Sequence, residues 1–383
     1  MSLRNLKAFF SFFVLCHVAI SIPPSIRFLS AEENKRLIQT GPDTKIWMTE
    51  DELVGFVRDV YRRGHFGGYM DITGHPNKKA ILNLPFDSFG TFEPKHHKKV
   101  GELISQLSAI SLSETIQKLS SFKNRYYQSE SGLAAATWIR DQFNTLARGR
   151  TDIEVSMVQH SFKQPSVIAR ITGKTPNKAH ETVILGGHSD TLSTNFGIPV
   201  PNGIQPGADD NASGISTMLE VFRAIIETGF RPERTVEFIA YAGEKHGLLG
   251  SLDIAQQYQK TNRKIVGVLQ LDMTMHPGRL PYISLVSDYT DRNLTKFLGM
   301  LIDTYVKVPW KEISCGYACS DHTAWHDAGF AAAFPFESLI EESNPNMDTP
   351  DDTIDNLDPL FGLHFAKLAA AFAVELSTGE GLQ

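Results

Sequence analysis

Thr182-Val183-Ile184-Leu185-Gly186-Gly187-His188-Ser189-Asp190 reads as a strand that runs into two glycines and ends on a histidine, with an aspartate two residues on. A short apolar run without polar alternation fits a strand covered on both faces. The pattern repeats on either side of it. Strands are expected at 153–158 and 166–171 before it, and at 235–240 and 265–271 after it. Helices are expected at 100–107, 112–119 and 132–147 upstream. Downstream, Ile215, Met218, Leu219, Phe222, Ile225 and Ile226 mark one face of a helix. Further helices are expected at 248–258, 291–306 and 360–376. Strands alternating with helices imply an α/β fold: one globular domain with a mixed, mostly parallel central sheet and helices on both faces. There is no internal repeat and no low-complexity tract.

Composition narrows the functional classes. The chain has 383 residues, 42% hydrophobic and 21% charged, with a net charge of −6. That is globular usage, with no basic field to hold nucleic acid or an anionic membrane. Arg4 and Lys7 precede an apolar run at residues 8–20, and Ala19-Ile20-Ser21 has the small-x-small form of a signal-peptidase site. Residues 1–21 are therefore expected to be a signal peptide and the mature chain to be extracellular; an uncleaved anchor is the competing reading. No later stretch is expected to cross a membrane. Cys16 leaves with the signal. Cys315 and Cys319 remain as an even pair in an oxidising compartment, so a small disulfide loop is the default over a metal site. Residues 22–90 carry Pro23, Pro24, Pro76 and Pro85 among short polar pieces, with one modest helix opened by Thr49. They fit a removable pro-segment, or an ordinary N-terminal extension, ahead of a catalytic domain at 91–383.

Five motifs fall where strands end: Gly186-Gly187-His188-Ser189-Asp190; Gly207-Ala208-Asp209-Asp210-Asn211-Ala212-Ser213-Gly214; Ala242-Gly243-Glu244-Lys245-His246-Gly247; Leu271-Asp272-Met273-Thr274; and Ser320-Asp321-His322. Carboxyl ends of strands are where open α/β sheets build active sites. Singly, each motif has a plainer reading: a structural histidine, a helix N-cap, a turn. Together they supply imidazoles and carboxylates, the ligands of a hydrolytic zinc site. Asp190 is expected to hold the His188 ring in one tautomer. Asn211-Ala212-Ser213 is formally a glycosylation sequon but is expected to be buried. Asn293-Leu294-Thr295 is a second sequon at a helix start.

With these residues in place, the sequence resembles the two-zinc aminopeptidases of the M28 peptidase family, and within it the fungal secreted leucine aminopeptidases. The resemblance runs from Ile46-Trp47-Met48-Thr49-Glu50-Asp51-Glu52 and Met70-Asp71-Ile72-Thr73, through Arg125-Tyr126-Tyr127 and the five motifs, to Cys315-Gly316-Tyr317-Ala318-Cys319-Ser320-Asp321-His322. It implies a zinc-exopeptidase (phosphorylase/hydrolase-like) fold. It further implies that His188 and Asp272 hold one zinc, that Asp209 bridges two and is joined to Asp210 by a cis peptide, and that His322 holds the second zinc. By the same resemblance Glu244 is the general base, Tyr317 donates to the developing oxyanion, and substrates are peptides with a free amino terminus. Met273, Phe334 and Phe336 would line a pocket for the first side chain, or are plain core. The protein would act as a monomer.

One position departs from the family pattern: Lys245 stands where a second Glu ligand is expected. An ammonium repels a dication. Three outcomes stay open: the ammonium neutralises the bridging aspartate beside a single zinc, another group restores a weak second site, or the chain only binds peptide ends. The first is favoured, because three protein ligands suffice for a catalytic zinc. A single-zinc glutaminyl-cyclase-like activity is the enzymatic rival.

Overall fold

A computed structural model describes residues 35–62, 68–76, 92–195 and 198–378. The expected signal peptide, and much of the segment 22–90, lie outside the described residues.

The N-terminal part forms its own small layer. Strand β1 (Arg36–Gly41) pairs antiparallel with β2 (Thr44–Met48) and with β3 (Met70–Asp71). Between them runs helix α1 (Glu50–Arg62). Thr49 caps it reciprocally: the Glu52 amide donates to Thr49 Oγ1 (3.3 Å) while the Thr49 amide donates to Glu52 Oε2 (2.7 Å).

Helices α2 (His97–Ile104), α3 (Ala109–Ser120) and α4 (Glu130–Leu146) then lead to the main sheet. Its strands in chain order are β4 (Ile153–Val158), β5 (Ser166–Ile171) and β6 (Glu181–His188). A two-residue hairpin, β7 (Thr194–Asn195) and β8 (Ile198–Pro199), stands apart. The sheet resumes with β9 (Thr235–Tyr241), β10 (Lys264–Gln270), β11 (Ile283–Val286), β12 (Trp310–Ile313) and β13 (Ala332–Phe336). The spatial order is β12-β11-β13-β10-β6-β9-β5-β4. β13, β10, β6 and β9 are mutually parallel, and antiparallel pairs flank that centre. Helices α5 (Gly214–Glu227), α6 (Leu249–Lys260), α7 (Arg292–Leu301), α8 (His322–Asp327) and α9 (Pro359–Thr378) complete the fold.

Both sheet faces are covered, and the period-two alternation of strand side chains divides the core in two. Val183 and Leu185 of β6 point into a cluster with α5 and α9, while Ile184 points into a second with Ile254, Tyr258 and Trp325 of α6 and α8. At 20 residues, α9 is long and apolar enough to span a bilayer, which the sequence reading overlooked. It is nevertheless core: it packs on α2, α3, α5 and β6, and most of its residues are buried.

Candidate metal and catalytic site

The three central parallel strands end side by side, and each carries one functional residue past its carboxyl end. His188 closes β6, Glu244 follows β9, and Asp272 follows β10. Gly187 lets β6 approach its neighbours there, since a Cβ would sit 2.6 Å from the Leu271 carbonyl. Gly243 and Gly247 (φ 69° and 99°) bracket the tight turn that turns Glu244 inward.

His188 Nε2 lies 3.0 Å from Asp210 Oδ1 and 3.3 Å from Asp272 Oδ1. The three residues form a buried group whose ligand atoms all lie within 4.8 Å of one another. None of these three atoms has a hydrogen-bond partner. Buried polar atoms without partners are costly, so three converging on one space make a candidate cation site. The donor set fits zinc: one imidazole and two carboxylates. Burial opposes a charge on His188, yet Asp272, Glu244 and the contacts with Asp190 and Asp210 outweigh it and raise its pKa well above normal.

The group that the structure brings together differs from the expected ligand set at two positions. Asp209 is not in the group; Asp210 is. Asp209 faces the other way, its Oδ2 accepting from Asn344 Nδ2 at 3.0 Å, and burial raises its pKa. The cis peptide likewise joins Asp210 to Asn211, not Asp209 to Asp210. His322 is also outside the group. It opens α8, its ring lies on Phe334 (5.0 Å between centroids), and burial lowers its pKa to about 3, keeping it neutral. Tyr317 stands edge-on to Tyr289 at 4.9 Å and packs against a cluster with Leu37, Met70, Ile72, Leu248 and Ala318, the last two of which line the cleft.

Asp190 contacts both His188 and the turn after β9. His188 Nδ1 faces the Asp190 carbonyl at 3.1 Å, which leaves Nε2 for the group. The Asp190 carboxylate also accepts from the amides of Glu244 (2.9 Å) and Lys245 (3.1 Å), tying two strand ends together. Residues the sequence reading passed over add to this shell. Ser320 Oγ donates to Asp272 Oδ2 at 2.5 Å. Asp352 accepts from the amides of Asp209 (3.0 Å) and Asp210 (3.1 Å). The buried Arg125 guanidinium donates to the carbonyls of Ser189 (2.9 Å) and Gly207 (2.8 Å), and burial lowers its pKa to about 10. Only the motif Arg125-Tyr126-Tyr127 hinted at that role; Ser320 lay in a quoted motif with no assigned function.

Met273, Phe334 and Phe336 pack with Val286 and Cys315 and line the cleft beside Asp210, Glu244 and Asp272. Across from them the cleft is lined by Leu53, Val54, Phe56, Val57 and Val60 of α1. Cys315 and Cys319 form a disulfide, with Cα atoms 6.2 Å apart. Asn211 is buried, as expected, and bonds the Leu271 carbonyl at 2.9 Å. Asn293 sits half-buried in the first turn of α7, and Thr295 of that sequon is buried with its hydroxyl on the Asp291 carbonyl (2.9 Å).

Fold and site together define an α/β protein in which a buried imidazole and two carboxylates converge at the central strand ends. Residues 166–373 match the model of peptidase family M28. A probable leucine aminopeptidase of Arthroderma benhamiae is 38% identical over 345 residues, covering 89% of this chain and 92% of that protein. Leucine aminopeptidase 1 of Coccidioides posadasii is 33% identical over 379 residues, covering 94% and 93%. Among solved structures, LapB of Legionella pneumophila superposes with a TM-score of 0.77 at 31% identity, covering 91% of this chain and 96% of that one. The chain belongs to peptidase family M28 and is a hydrolytic enzyme of that family.

Proposed function

We propose that this protein is a secreted zinc aminopeptidase that removes one residue, preferably leucine or another large apolar one, from the free amino end of peptides. The observation that carries the reading is the convergence of His188 Nε2, Asp210 Oδ1 and Asp272 Oδ1, all buried and without hydrogen bonds, beside an apolar pocket. Zinc bound there would supply a Lewis acid for the scissile carbonyl and lower the pKa of the attacking water. One ion is expected, because the Lys245 ammonium is already paired with the far oxygen of Asp210.

The remaining steps belong to the protein. Glu244 is the general base: it takes the proton of the attacking water and returns it to the leaving amine. Burial pushes its pKa above the ordinary range, against the pull of Lys245 and His188. Asp190 holds His188 and the backbone of Glu244 in register. The acidic surroundings favour a substrate α-ammonium, since Asp210, Glu244, Asp272 and Asp348 line the cleft with Lys245 as the cation among them. Met273, Phe334 and Phe336 would receive the first side chain.

The N-terminal layer is proposed to be part of an inhibitory pro-segment spanning residues 22–90. Its helix α1 closes the apolar side of the cleft. Its attachment reaches the catalytic turn directly: Arg36 Nη2 donates to the His246 carbonyl (2.9 Å) and the Asp71 amide to the Gly247 carbonyl (3.0 Å). Secretion is supported by the apolar run at residues 8–20 and by the Cys315–Cys319 disulfide.

The test is an assay of zinc-loaded mature protein on a leucyl anilide and on a peptide with N-terminal glutamine. Release of the anilide supports the reading. Ring closure of the glutamine without anilide release would assign a glutaminyl cyclase instead. No turnover of either would leave a binder of peptide ends.

A further inference from the structure

Lys245 sits inside a cage of three carboxylates. Its Nζ is paired with Asp210 Oδ2, lies 3.5 Å from Asp348 Oδ1 and lies 3.9 Å from Glu244 Oε2. The side chains of Asp210, Asp348 and Glu244 are 1%, 6% and 9% exposed, and that of Lys245 is 15% exposed. Glu244 Oε2 points into this space and has no hydrogen-bond partner. Asp210 faces two ways: Oδ1 toward His188, and Oδ2 toward the ammonium. The backbone fixes both ends of the cage. The Lys245 amide is held on Asp190 Oδ2 at 3.1 Å, and the Asp348 carbonyl accepts from the Thr194 amide at 3.0 Å. Three buried carboxylate oxygens around one point are also the donor set of a divalent cation.

We infer that Lys245 is a resident cation filling a latent second divalent-ion site formed by Asp210, Glu244 and Asp348, and that it holds this chain to one metal ion. This deepens the single-zinc reading above and rests on it. Asp210 would then offer Oδ1 to a metal while Oδ2 stays with the ammonium. Lysine donates from a compact, strongly hydrated point charge and cannot bind a metal while protonated, so the two occupants exclude each other.

The experiment is zinc stoichiometry by equilibrium dialysis and elemental analysis, on full-length wild type, Lys245→Ala, Lys245→Glu and the double variant Lys245→Ala/Asp348→Asn, with folding checked by circular dichroism. Wild type is expected to take up one zinc per chain. Each Lys245 variant that folds is expected to take up two, and the double variant to return to one. Wild type saturating at two, or both folded single variants staying at one, overturns the inference while leaving the single-zinc reading intact. Wild type binding none overturns that reading and this inference with it.

Discussion

At Asp209 and Asp210 the same side chain, one position apart, meets opposite surroundings: Asn344 for the first, His188 and Lys245 for the second. Burial alone pushes both carboxyls upward in pKa. Only Asp210 has cationic partners close enough to reverse that, and its pKa falls well below the ordinary range. Support from neighbours is equally local. Ser320→Ala removes the hydroxyl that orients Asp272. Losing such an outer partner should weaken zinc binding by about 10- to 100-fold without unfolding the chain, as read by competition with a chelator. His322 offers a test of stability. Its pKa is held near 3 when folded, against an ordinary 6.5. Between those values the unfolded chain binds a proton that the folded chain refuses, so stability falls as pH drops through that window, by up to about 1.4 kcal/mol per pH unit. Urea denaturation at pH 7 and pH 5 should show a smaller difference for His322→Asn than for wild type. Equal differences would mean that His322 is not buried as a neutral ring. Sequence reading could name the motif Asp209-Asp210-Asn211 but not choose within it, because the choice depends on which way a loop turns. Asp348 carried no local signal at all: it is one acid in a polar loop, and only the fold brings it to Lys245.

The elements that were legible in sequence are those whose pattern is set by burial on one or two faces. Strands β4 and β5 fall at the expected residues, and α5, β9 and β10 within one residue of them. The misses have physical reasons. β13 contains Pro335, which argues against a strand by sequence, and it lies inside the sheet at a point where its pairing is short. β12 is an edge strand with Lys311 and Glu312 exposed, so it has no apolar run to find. α8 has six residues, too few for a helical period to emerge. The expected helix at 291–306 ends early, at Leu301, and finishes as a wider turn over Ile302–Val306. β1 and β2 hide in a segment read as irregular because of its prolines. That layer carries its own prediction. Arg36→Ala breaks the contacts to Asp71 and to the His246 carbonyl. If α1 closes the cleft, unprocessed Arg36→Ala protein should hydrolyse a leucyl anilide several-fold faster than unprocessed wild type, and processed forms of the two should be alike. Equal rates before processing would show that the layer does not inhibit.

For the whole molecule, the sheet acts as a frame that brings His188, Glu244 and Asp272 from three adjacent strands to one edge. Buried acids repel one another across this edge, so the folded chain should gain stability when a cation enters. At zinc concentrations 100 times the dissociation constant the gain is about 2.7 kcal/mol, seen as a rise in Tm that a chelator reverses. A Tm indifferent to zinc would mean that no site exists in the folded state. Glu244→Gln separates chemistry from assembly: it should keep the zinc-dependent Tm shift and lose turnover by 100-fold or more, about the worth of a general base. The most direct test of the central claim, that His188, Asp210 and Asp272 hold the catalytic ion, is the zinc content of purified wild type, Asp209→Asn and Asp210→Asn. The account predicts bound zinc in wild type and in Asp209→Asn, and its loss in Asp210→Asn. Zinc retained by Asp210→Asn and lost from Asp209→Asn would contradict it.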